Sequence, residues 1–598
     1  MKSPTVLLSA LLTDVSRAEP GTKGLDRDRE TIEKRFKHEG YGFLSIALPK
    51  LGDAILDGLS TGRFACPTDF SRSYGSALPR FLSGLLCKVF DTKTGHLNSE
   101  CDPMIVGYLY KITWLFKKVR LPSKSSDKLD KKAKEAFFKN DEYVREFRMN
   151  PEFLQSLRSV SRLVCGNLGN FVPDELNYRH GPGAVFEKVK GNQKWSLLMK
   201  LATTPCFYSD KIGLTEFLYS SGSLINYPEP TQGDLFSDPP FEDRYPSSSS
   251  ARLITVPKNS TSRRTITVEP LLRQYVQQGL NSFLRDSISK CKILSRSLAL
   301  TDQSANQKLA LDGSLTGKWA TIDLKSASDL LSLELVKTVF GHHVSFTEML
   351  IDCRSPSVLD GETPTKVEKF AGMGNATTFP VQSIVFATVA ITEILRNLGL
   401  TPNYRNAMRA ASKVRVFGDD IIIDSNHASQ VVSALQSVGL VVNTRKSFLE
   451  GNFRESCGIH AYKGVDITPV FVKDPTDDSN DEPNIIAGFV SLSNLCWFKG
   501  LWNLSDELRK LSESLLKKRL PLVPSNSGIL GLHTHKEWSE PSRWNRSLHR
   551  FETRGFALVS TKKADRLSGY AALLKFFHHS VDSINGALDY LYPIVKDK

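Results

Sequence analysis

A short acidic turn between two apolar runs is the feature of this sequence that most restricts its fold. The runs VRVF (414–417) and IIID (421–424) flank Gly418, Asp419 and Asp420. β-branched residues on both sides of a glycine-containing turn predict a β-hairpin. Such a hairpin presents two adjacent carboxylates at its tip, and they repel each other unless a cation lies between them. Taken alone, the triplet is also compatible with a plain turn.

Strand and helix patterns alternate around this hairpin. Strand-like runs occur at 253–257, 265–269, 319–324, 414–417, 421–424 and 465–472, and helical stretches at 270–290, 380–398 and 427–438. Because both patterns share one stretch of chain, we expect an α+β layered fold. The first 170 residues and those after 485 have mainly helical patterns. The proline-rich stretch 226–250 and the acidic stretch 473–484 are typical of boundaries.

Charge and cysteine usage narrow the class of protein. The 598 residues include 78 lysines and arginines against 64 aspartates and glutamates, a formal net charge of +14. This excess favours a polyanionic partner, nucleic acid before an anionic membrane. The scattered cysteines argue against a disulfide framework or zinc knuckles and fit a reducing cytosol. We expect no membrane-spanning segment, and we interpret the apolar stretch near the N-terminus as an amphipathic helix rather than a signal peptide.

A second acidic element precedes the hairpin in the chain. The run WATI (319–322) is followed by Asp323, and Asp329 lies six residues further on. An aspartate at the end of a strand can face a cleft at the sheet edge, although in isolation it is more often a helix cap or a surface acid. With the hairpin, Asp323 supplies a third carboxylate. Three carboxylates on neighbouring strands are what two divalent ions about 3.5–4 Å apart require.

Three other segments carry groups that could contact a nucleotide. The basic loop at 256–265 contains Lys258 and Arg264, which can hold a triphosphate, although a solvated basic hairpin is the alternative. The glycines in GMGNATTF (372–379) permit a nucleotide or template to approach the backbone, but a plain helix N-terminus also fits. In NTRKSF (443–448), Lys446 could donate a proton to a leaving pyrophosphate.

The order of these segments resembles the RNA-dependent RNA polymerases, the replicase catalytic (beta) subunits, of the single-stranded RNA bacteriophages, the leviviruses. The resemblance covers about residues 251–472. Its most specific strings are VPKNS with Arg264, VEP (268–270), DQSANQ (302–307), the Asp323 strand, MGN (373–375) with Thr378 and Phe379, Gly418-Asp419-Asp420, and FRESCG (453–458). The chain departs from the family at Pro380-Val381-Gln382-Ser383, where Glu-Leu-Glu-Ser is usual, and at Gly372, where serine is common. Residues 1–170 and 485–598 show no such resemblance.

The resemblance implies a right-hand polymerase with fingers, palm and thumb, in which the palm is an antiparallel sheet flanked by helices. The expected organisation has four parts. These are a mainly helical N-terminal region (1–170), fingers (171–318), a palm (319–476) with a finger insertion near 338–370, and a thumb with the C-terminal region (477–598).

The resemblance also implies the residues of the site. Two Mg²⁺ ions, for which Mn²⁺ can substitute, would be held by Asp323, Asp419, Asp420 and the Leu324 carbonyl, and Lys446 would be the general acid. The other implied contacts are with nucleotide or RNA. They are Lys258 and Arg264 at the triphosphate, Asp329 and Asn375 near the ribose, and Gly374 and Thr378 at the template.

The implied activity is replication and transcription of a phage RNA genome by two-metal-ion transfer from ribonucleoside triphosphates. The implied partners are RNA template and product, host elongation factors Tu and Ts, and an RNA-binding ribosomal protein, in the cytoplasm of the bacterial host and without a membrane. A reverse transcriptase shares the palm but usually carries an aromatic residue after the first aspartate, and LKSASD (324–329) has none. A non-catalytic RNA-binding or capsid-associated protein explains the basic charge but not three converging acids.

Overall fold

The computed structural model describes residues 3–121, 126–166, 168–203, 250–476, 483–534 and 543–552, with isolated positions between 555 and 576. The expected proline-rich boundary at 226–250 lies outside these residues except for its last position, and so do residues 477–482 of the acidic boundary.

The N-terminal region is helical. Its α-helices are α1 (Thr5–Ala18), α2 (Leu25–Glu39), α3 (Leu48–Thr61), α4 (Ser83–Val89), α5 (Pro103–Trp114), α6 (Ser126–Glu146) and α7 (Pro151–Cys165). Helix α1 is the amphipathic helix expected near the N-terminus. It buries Leu8, Leu11, Leu12 and Val15, whose spacing of three to four residues places them on one face.

Helices and short strands alternate in the central region. The first elements are α8 (Gln193–Thr203), β1 (Ser250–Pro257), β2 (Arg263–Val268), α9 (Leu271–Lys290), α10 (Leu294–Ser297), α11 (Ser304–Thr316), β3 (Trp319–Ile322), β4 (Leu324–Lys325), α12 (Leu333–Phe340), α13 (Val344–Asp352), β5 (Ser357–Asp360) and β6 (Thr363–Lys366). They are followed by α14 (Thr378–Asn397), α15 (Tyr404–Ala411), β7 (Val414–Phe417), β8 (Asp420–Asp424), α16 (Ala428–Ser437), β9 (Val441–Val442), β10 (Phe453–Ser456), β11 (Ile459–Tyr462) and β12 (Val465–Asp466).

A three-stranded antiparallel sheet in the order β3-β8-β7 lies at the centre of this region. Helices α11 and α14 pack against its strands. Separate sheets are formed by β2-β1-β5-β6, in which only β1 and β5 run parallel, by β4-β9, and by the antiparallel strands β10-β11-β12. The fold is therefore α+β, as expected, with helices flanking an antiparallel sheet.

One predicted strand, at 465–472, is wrong over most of its length. Only Val465–Asp466 forms a strand, and the following residues run along the N-terminal helices. Ile467, Val470 and Val472 are buried in the core that those helices form, and the Val472 amide donates to the Leu115 carbonyl at 2.7 Å. The alternation that resembled a strand reflects burial against helices.

The C-terminal elements pack onto the N-terminal helices. They are α17 (Pro483–Phe498), α18 (Trp502–Leu516), β13 (Leu522–Val523), β14 (Leu532–His533), β15 (Arg543–Asn545) and β16 (Arg550–Glu552). Helix α18 lies against α1, and the Asp14 carboxylate accepts from the amides of Asn503 at 2.8 Å and Leu504 at 2.9 Å. Phe453 and Tyr462 belong to the same apolar core. The N-terminal helices and helices α17 and α18 thus share one apolar core with the β10–β11 hairpin.

Helix α14 is apolar around its whole circumference. Among the described helices it is the one that is long and apolar enough to cross a membrane by length and composition. Of its most apolar window, 89% is buried inside the protein. A helix that is buried on all sides within a domain has the same composition as a membrane span. We therefore interpret α14 as the central helix of the core.

Candidate active site

The Gly-Asp-Asp turn forms the tip of the β7–β8 hairpin, as predicted. Phe417 pairs with Asp420, so Gly418 and Asp419 make a two-residue turn, and the φ angle of Gly418 is +67°. This backbone region favours glycine. The Gly418 amide donates to the Ser383 hydroxyl at 3.1 Å, and a Cβ at Gly418 would lie 2.7 Å from the Phe379 ring. The turn is therefore fixed against the first turns of α14.

Asp323 lies between β3 and β4, beside the hairpin tip. Strand β3 pairs with β8 through Ile322 and Ile421, which are the direct neighbours of Asp323 and Asp420. The Asp323 carboxylate accepts from Asn443 Nδ2 at 2.8 Å, and its amide donates to the Ser447 hydroxyl at 3.1 Å. Asn443 and Ser447 were not among the site residues predicted from the sequence, although both lie in the NTRKSF segment with Lys446.

The carboxylates repel one another in a partly buried setting. The pKa of Asp420 is raised to about 7. Burial is the largest cause, repulsion by Asp419 is the second, and Glu455 and Asp323 add to the shift. Burial also raises the pKa of Asp323, although Lys446 and Asn443 oppose the change. A divalent cation would remove the repulsion that disfavours the charged forms.

The donor chemistry fits Mg²⁺, which binds oxygen ligands. Among the described residues, however, no three His, Cys, Asp or Glu side chains are already arranged around a common metal position. Mg²⁺ usually binds one or two carboxylates, keeps several waters and takes substrate phosphates as further ligands. An open arrangement of Asp323, Asp419 and Asp420 suits that mode. Leu324, whose carbonyl is the other expected ligand, begins β4 and pairs with Val442.

The raised pKa of Asp420 predicts a pH-dependent stability in the metal-free protein. Between the unfolded pKa of about 3.9 and the folded pKa of about 7, the folded state holds this proton more tightly. The contribution of Asp420 to stability therefore falls as the pH rises through this window. We expect Asp420→Asn, which resembles the protonated form, to raise the melting temperature in EDTA more at pH 8 than at pH 5.

Asp424 at the other end of β8 provides the control. Burial would raise its pKa, but Lys413 at 2.7 Å, the Asn426 amide and His427 together outweigh this effect, so that the pKa is lowered. Asp424→Asn should therefore become more destabilising, not less, as the pH rises. Thermal denaturation at several pH values checks both variants, and a melting-temperature difference for Asp420→Asn that is independent of pH would contradict the prediction.

Lys446 lies between the acidic cluster and Glu455. Its Nζ atom is 3.9 Å from Glu455 Oε1. Glu455 chiefly raises the pKa of Lys446, with further contributions from Asp323 and Asp420 that burial only partly opposes. The ammonium group therefore stays protonated and can act as a proton donor. Glu455 was not predicted as a site residue from the sequence, where the FRESCG string served only as part of the family resemblance.

The basic loop faces the acidic cluster. Burial lowers the pKa of Lys258, and so do Arg264 and Lys446, while Asp323 and Asp419 oppose the change. These couplings place Lys258 within electrostatic range of both carboxylates. Arg264 is held in β2 by pairing with Val256 of β1. Lys258 thus lies within electrostatic range of Arg264, Lys446 and the carboxylates, and cations grouped in this way can bind a polyphosphate.

The glycine-rich turn packs tightly on β2. At Gly374 φ is +128°, and a Cβ there would lie 2.0 Å from the Thr267 carbonyl oxygen. The Thr267 amide donates to Met373 O at 2.7 Å. The Thr378 hydroxyl donates to Gly372 O at 3.1 Å. At Gly372 a Cβ would lie 2.4 Å from a Thr267 methyl group, so a serine at this position would require Thr267 to shift.

Asn375 is buried beside this turn. Its Oδ1 atom accepts from the Thr377 amide at 2.8 Å and from the Thr377 hydroxyl at 2.7 Å. Within the described part of the chain, its Nδ2 atom has no hydrogen-bond partner. A buried donor without a partner is costly, so a ligand that accepts from it would be favoured.

Asp329 occupies a different environment from the carboxylate cluster. It is buried, with its Oδ1 atom 3.6 Å from Lys369 Nζ. Burial raises its pKa, and Lys369 opposes the change. Lys369 Nζ also donates to the Phe137 carbonyl in α6 at 2.9 Å. The structure thus places Asp329 in an ion pair that joins α6 to the central region, and within the described residues it records no hydrogen bond between Asp329 and Asn375.

Comparison with known proteins identifies the segment that contains this site. Residues 237–494 match the family model described as "RNA replicase, beta-chain". The RNA-directed RNA polymerase subunit beta of Enterobacteria phage SP is 35% identical over 295 residues, which are 48% of this chain and 47% of that protein. Its counterpart from Escherichia virus Qbeta is 39% identical over 226 residues, 37% of this chain and 35% of the relative.

The RNA-directed RNA polymerase beta chain of Escherichia phage MS2 is 39% identical over 257 residues, 42% of each chain. This chain thus spans less than half the length of each of these relatives. Among solved structures, the BmCPV RNA-dependent RNA polymerase at the elongation state matches at 12% identity and a TM-score of 0.41, covering 81% of this chain and 46% of that chain. A likeness this weak supports no conclusion about the site. The sequence matches, by contrast, confirm the resemblance seen in the motifs, and residues 237–494 of this chain match the RNA replicase beta-chain family.

Proposed function

We propose that this chain is an RNA-directed RNA polymerase that replicates and transcribes a phage RNA genome from ribonucleoside triphosphates. The proposal rests on one observation: three carboxylates, those of Asp323, Asp419 and Asp420, interact electrostatically with one another and with the cations Lys258 and Lys446. Acids that can hold a metal beside cations that can hold a triphosphate are the requirements of nucleotidyl transfer. The matching relatives bear the same activity in their names.

Each group of the site has a role in this proposal. When bound, two Mg²⁺ ions, or Mn²⁺ in their place, supply the Lewis acid that activates the 3′-hydroxyl and stabilises the leaving pyrophosphate. The carboxylates and the Leu324 carbonyl would hold these ions. Lys258 and Arg264 bind and orient the triphosphate, since Arg can pair with phosphate oxygens in a bidentate manner. Lys446 donates a proton to the pyrophosphate oxygen as it leaves.

The sugar and template contacts follow from the glycine-rich turn. The Nδ2 donor of Asn375, which has no hydrogen-bond partner among the described residues, suits a ribose hydroxyl. Gly374 is exposed, whereas Thr378 is buried with its hydroxyl bonded to Gly372 O, and both are proposed as template contacts from the family resemblance. Asp329 is retained as a ribose contact from the family resemblance. Its ion pair with Lys369 would have to open or shift for it to reach the sugar.

We propose the right-hand organisation for the same reason. The palm, 319–476, contains the antiparallel β3-β8-β7 sheet and the carboxylates, and residues 338–370 are an insertion that belongs to the fingers. Residues 171–318 are the fingers, 477–598 the thumb and C-terminal region, and 1–170 an N-terminal helical region. The packing of α1 on α18 supports a shared module formed by the two ends.

The partners are proposed from the relatives' names and the charge. Those names describe beta subunits or chains, which implies other subunits. We propose host elongation factors Tu and Ts and an RNA-binding ribosomal protein, together with RNA template and product, in the cytoplasm of the bacterial host. The net charge of +14 favours RNA binding.

Primer-independent incorporation of labelled ribonucleotides on an RNA template with Mg²⁺ tests the proposed function. The assay is run with and without host lysate, which reveals a need for host subunits. Incorporation in either condition supports the proposal. If neither ribonucleotides nor deoxyribonucleotides are incorporated while RNA is still bound, the chain is an RNA-binding protein instead.

Lys258→Ala should weaken nucleotide use. We expect the KM for ribonucleoside triphosphates to rise by about tenfold, equivalent to ~1.4 kcal/mol, with a smaller change in kcat, since Lys258 contributes to ground-state binding. Initial rates over a range of nucleotide concentrations measure this change. Lys366→Ala, on the exposed strand β6, is the matched control. An unchanged KM in Lys258→Ala would exclude the assigned role.

A further inference from the structure

Glu455 connects Lys446 to a buried aromatic cluster. It lies in β10 with 22% of its side chain exposed. Its Oε1 atom is 3.9 Å from Lys446 Nζ and 3.7 Å from His460 Nε2. The His460 ring lies among Tyr110, Trp114 and Phe453, with centroid distances of 5.4–6.1 Å. Two of these rings, Tyr110 and Trp114, belong to α5, so an N-terminal helix supplies part of the aromatic cluster that packs next to Glu455.

The other charged groups near Glu455 have their own close partners. Lys117 donates to Asp53 at 2.8 Å and lies 3.3 Å from the centre of the Trp114 ring. Lys118 lies over the Phe471 ring at 3.9 Å. Burial lowers the pKa of His460, so its ring is neutral at pH 7 and does not compete as a cation. Glu455 also acts electrostatically on Lys117 and Lys118, but among the described residues Lys446 is the lysine that forms an ion pair with the Glu455 carboxylate, at 3.9 Å.

From this geometry we propose that Glu455 is a positioning residue that holds Lys446 beside the catalytic carboxylates. The inference rests on the proposed function, in which Lys446 donates the proton to pyrophosphate. A lysine side chain has four flexible carbons and loses rotamer freedom when it is held. The Lys446 side chain is 51% exposed, so packing alone does not fix its ammonium group. The Glu455 carboxylate, 3.9 Å from Lys446 Nζ, supplies the missing restraint.

The strand that carries Glu455 is rigid enough for this task. Glu455 pairs with His460 in the β10–β11 hairpin. The preceding residue, Arg454, is fully buried and donates to the Gly451 carbonyl at 2.8 Å and the Glu450 carbonyl at 3.1 Å. Arg454 Nε also donates to the Trp319 carbonyl in β3, which ties β10 to the strand that precedes Asp323. Functional groups on such elements are held more accurately than those on loops.

A double-mutant cycle with Lys446→Ala separates positioning from a structural role. We expect Glu455→Gln to lower kcat about tenfold without changing the KM for nucleotides or the affinity for RNA. Lys446→Ala should lower kcat by about 10²–10⁴, the usual contribution of a general acid. If Glu455 acts through Lys446, the double variant is no slower than Lys446→Ala alone. If the loss of kcat in the double variant equals the product of the two single losses, Glu455 acts independently of Lys446, and the inference is overturned.

Two further variants complete the test. Glu450→Gln removes an exposed carboxylate five residues away and should leave kcat unchanged. Glu455→Asp keeps the charge but shortens the reach to Lys446, so kcat should fall here too, and full activity in this variant would overturn the inference. If Glu455→Gln does not fold, the kcat of Glu455→Asp provides the test in its place. An inactive wild type would overturn the proposed function and this inference with it, whereas an active wild type with an unaffected Glu455→Gln overturns the inference alone.

Discussion

The Asp419→Ala variant should lose RNA synthesis by about a thousandfold or more and still bind RNA as tightly as the wild type. Asp419 is at the tip of the hairpin and is coupled to Asp323 and Asp420. Metal ions contribute several kcal/mol of transition-state stabilisation, and each ~1.4 kcal/mol changes a rate about tenfold. RNA binding depends on phosphate contacts with basic residues, which this substitution leaves in place.

The measurement compares ribonucleotide incorporation with filter binding of the same RNA. Asp312→Ala is a suitable control, since it removes an exposed acid from α11, a helix in which alanine is favourable. Asp323→Ala should behave like Asp419→Ala, and it additionally leaves Asn443 without the carboxylate it contacts. A loss of RNA binding that parallels the loss of synthesis would contradict the assignment of these acids to metal rather than RNA.

Gly374→Ala should cost more than about 3 kcal/mol of folding free energy, or displace the glycine-rich turn from β2. A Cβ would lie 2.0 Å from the Thr267 carbonyl oxygen, and backbone atoms cannot move aside as a flexible side chain can. The φ angle of +128° adds strain for any residue with a side chain. Because the turn precedes Asn375 and α14, a variant that folds should also use nucleotides poorly.

Gly361→Ala separates the clash from the backbone strain. Gly361, in the β5–β6 turn, has a φ angle of +76°, but an added Cβ would meet no atom within 4 Å. We expect that variant to lose only about 1–2 kcal/mol, the cost of the left-handed conformation. Chemical denaturation gives both values, and nucleotide KM reports on the turn. If Gly374→Ala and Gly361→Ala lose equal stability, strand β2 must move away from the methyl group added at position 374, and the expected clash does not occur.

The secondary-structure predictions that the structure confirms are those that depend only on residues adjacent in the sequence. The β7–β8 hairpin around Gly418 and the strand before Asp323 follow from runs of four or five residues. The error at 467–472 has the opposite origin. There the apolar alternation was produced by contact with N-terminal helices more than 300 residues away in sequence, and no local pattern distinguishes such burial from a strand.

The sequence alone determined the types of group in the site: the acids of the hairpin and of the β3 end, the basic loop, the glycine-rich turn and Lys446. Each is specified by its residue type and its place beside a local element. Only the tertiary structure decided which further side chains contact these site residues. It brought Asn443 to Asp323 across the β4–β9 ladder, placed Asp329 against Lys369, and set Glu455 next to the aromatic cluster and Lys446. Such pairings depend on how distant elements pack, and packing joins residues whose separation in sequence carries no periodic signal.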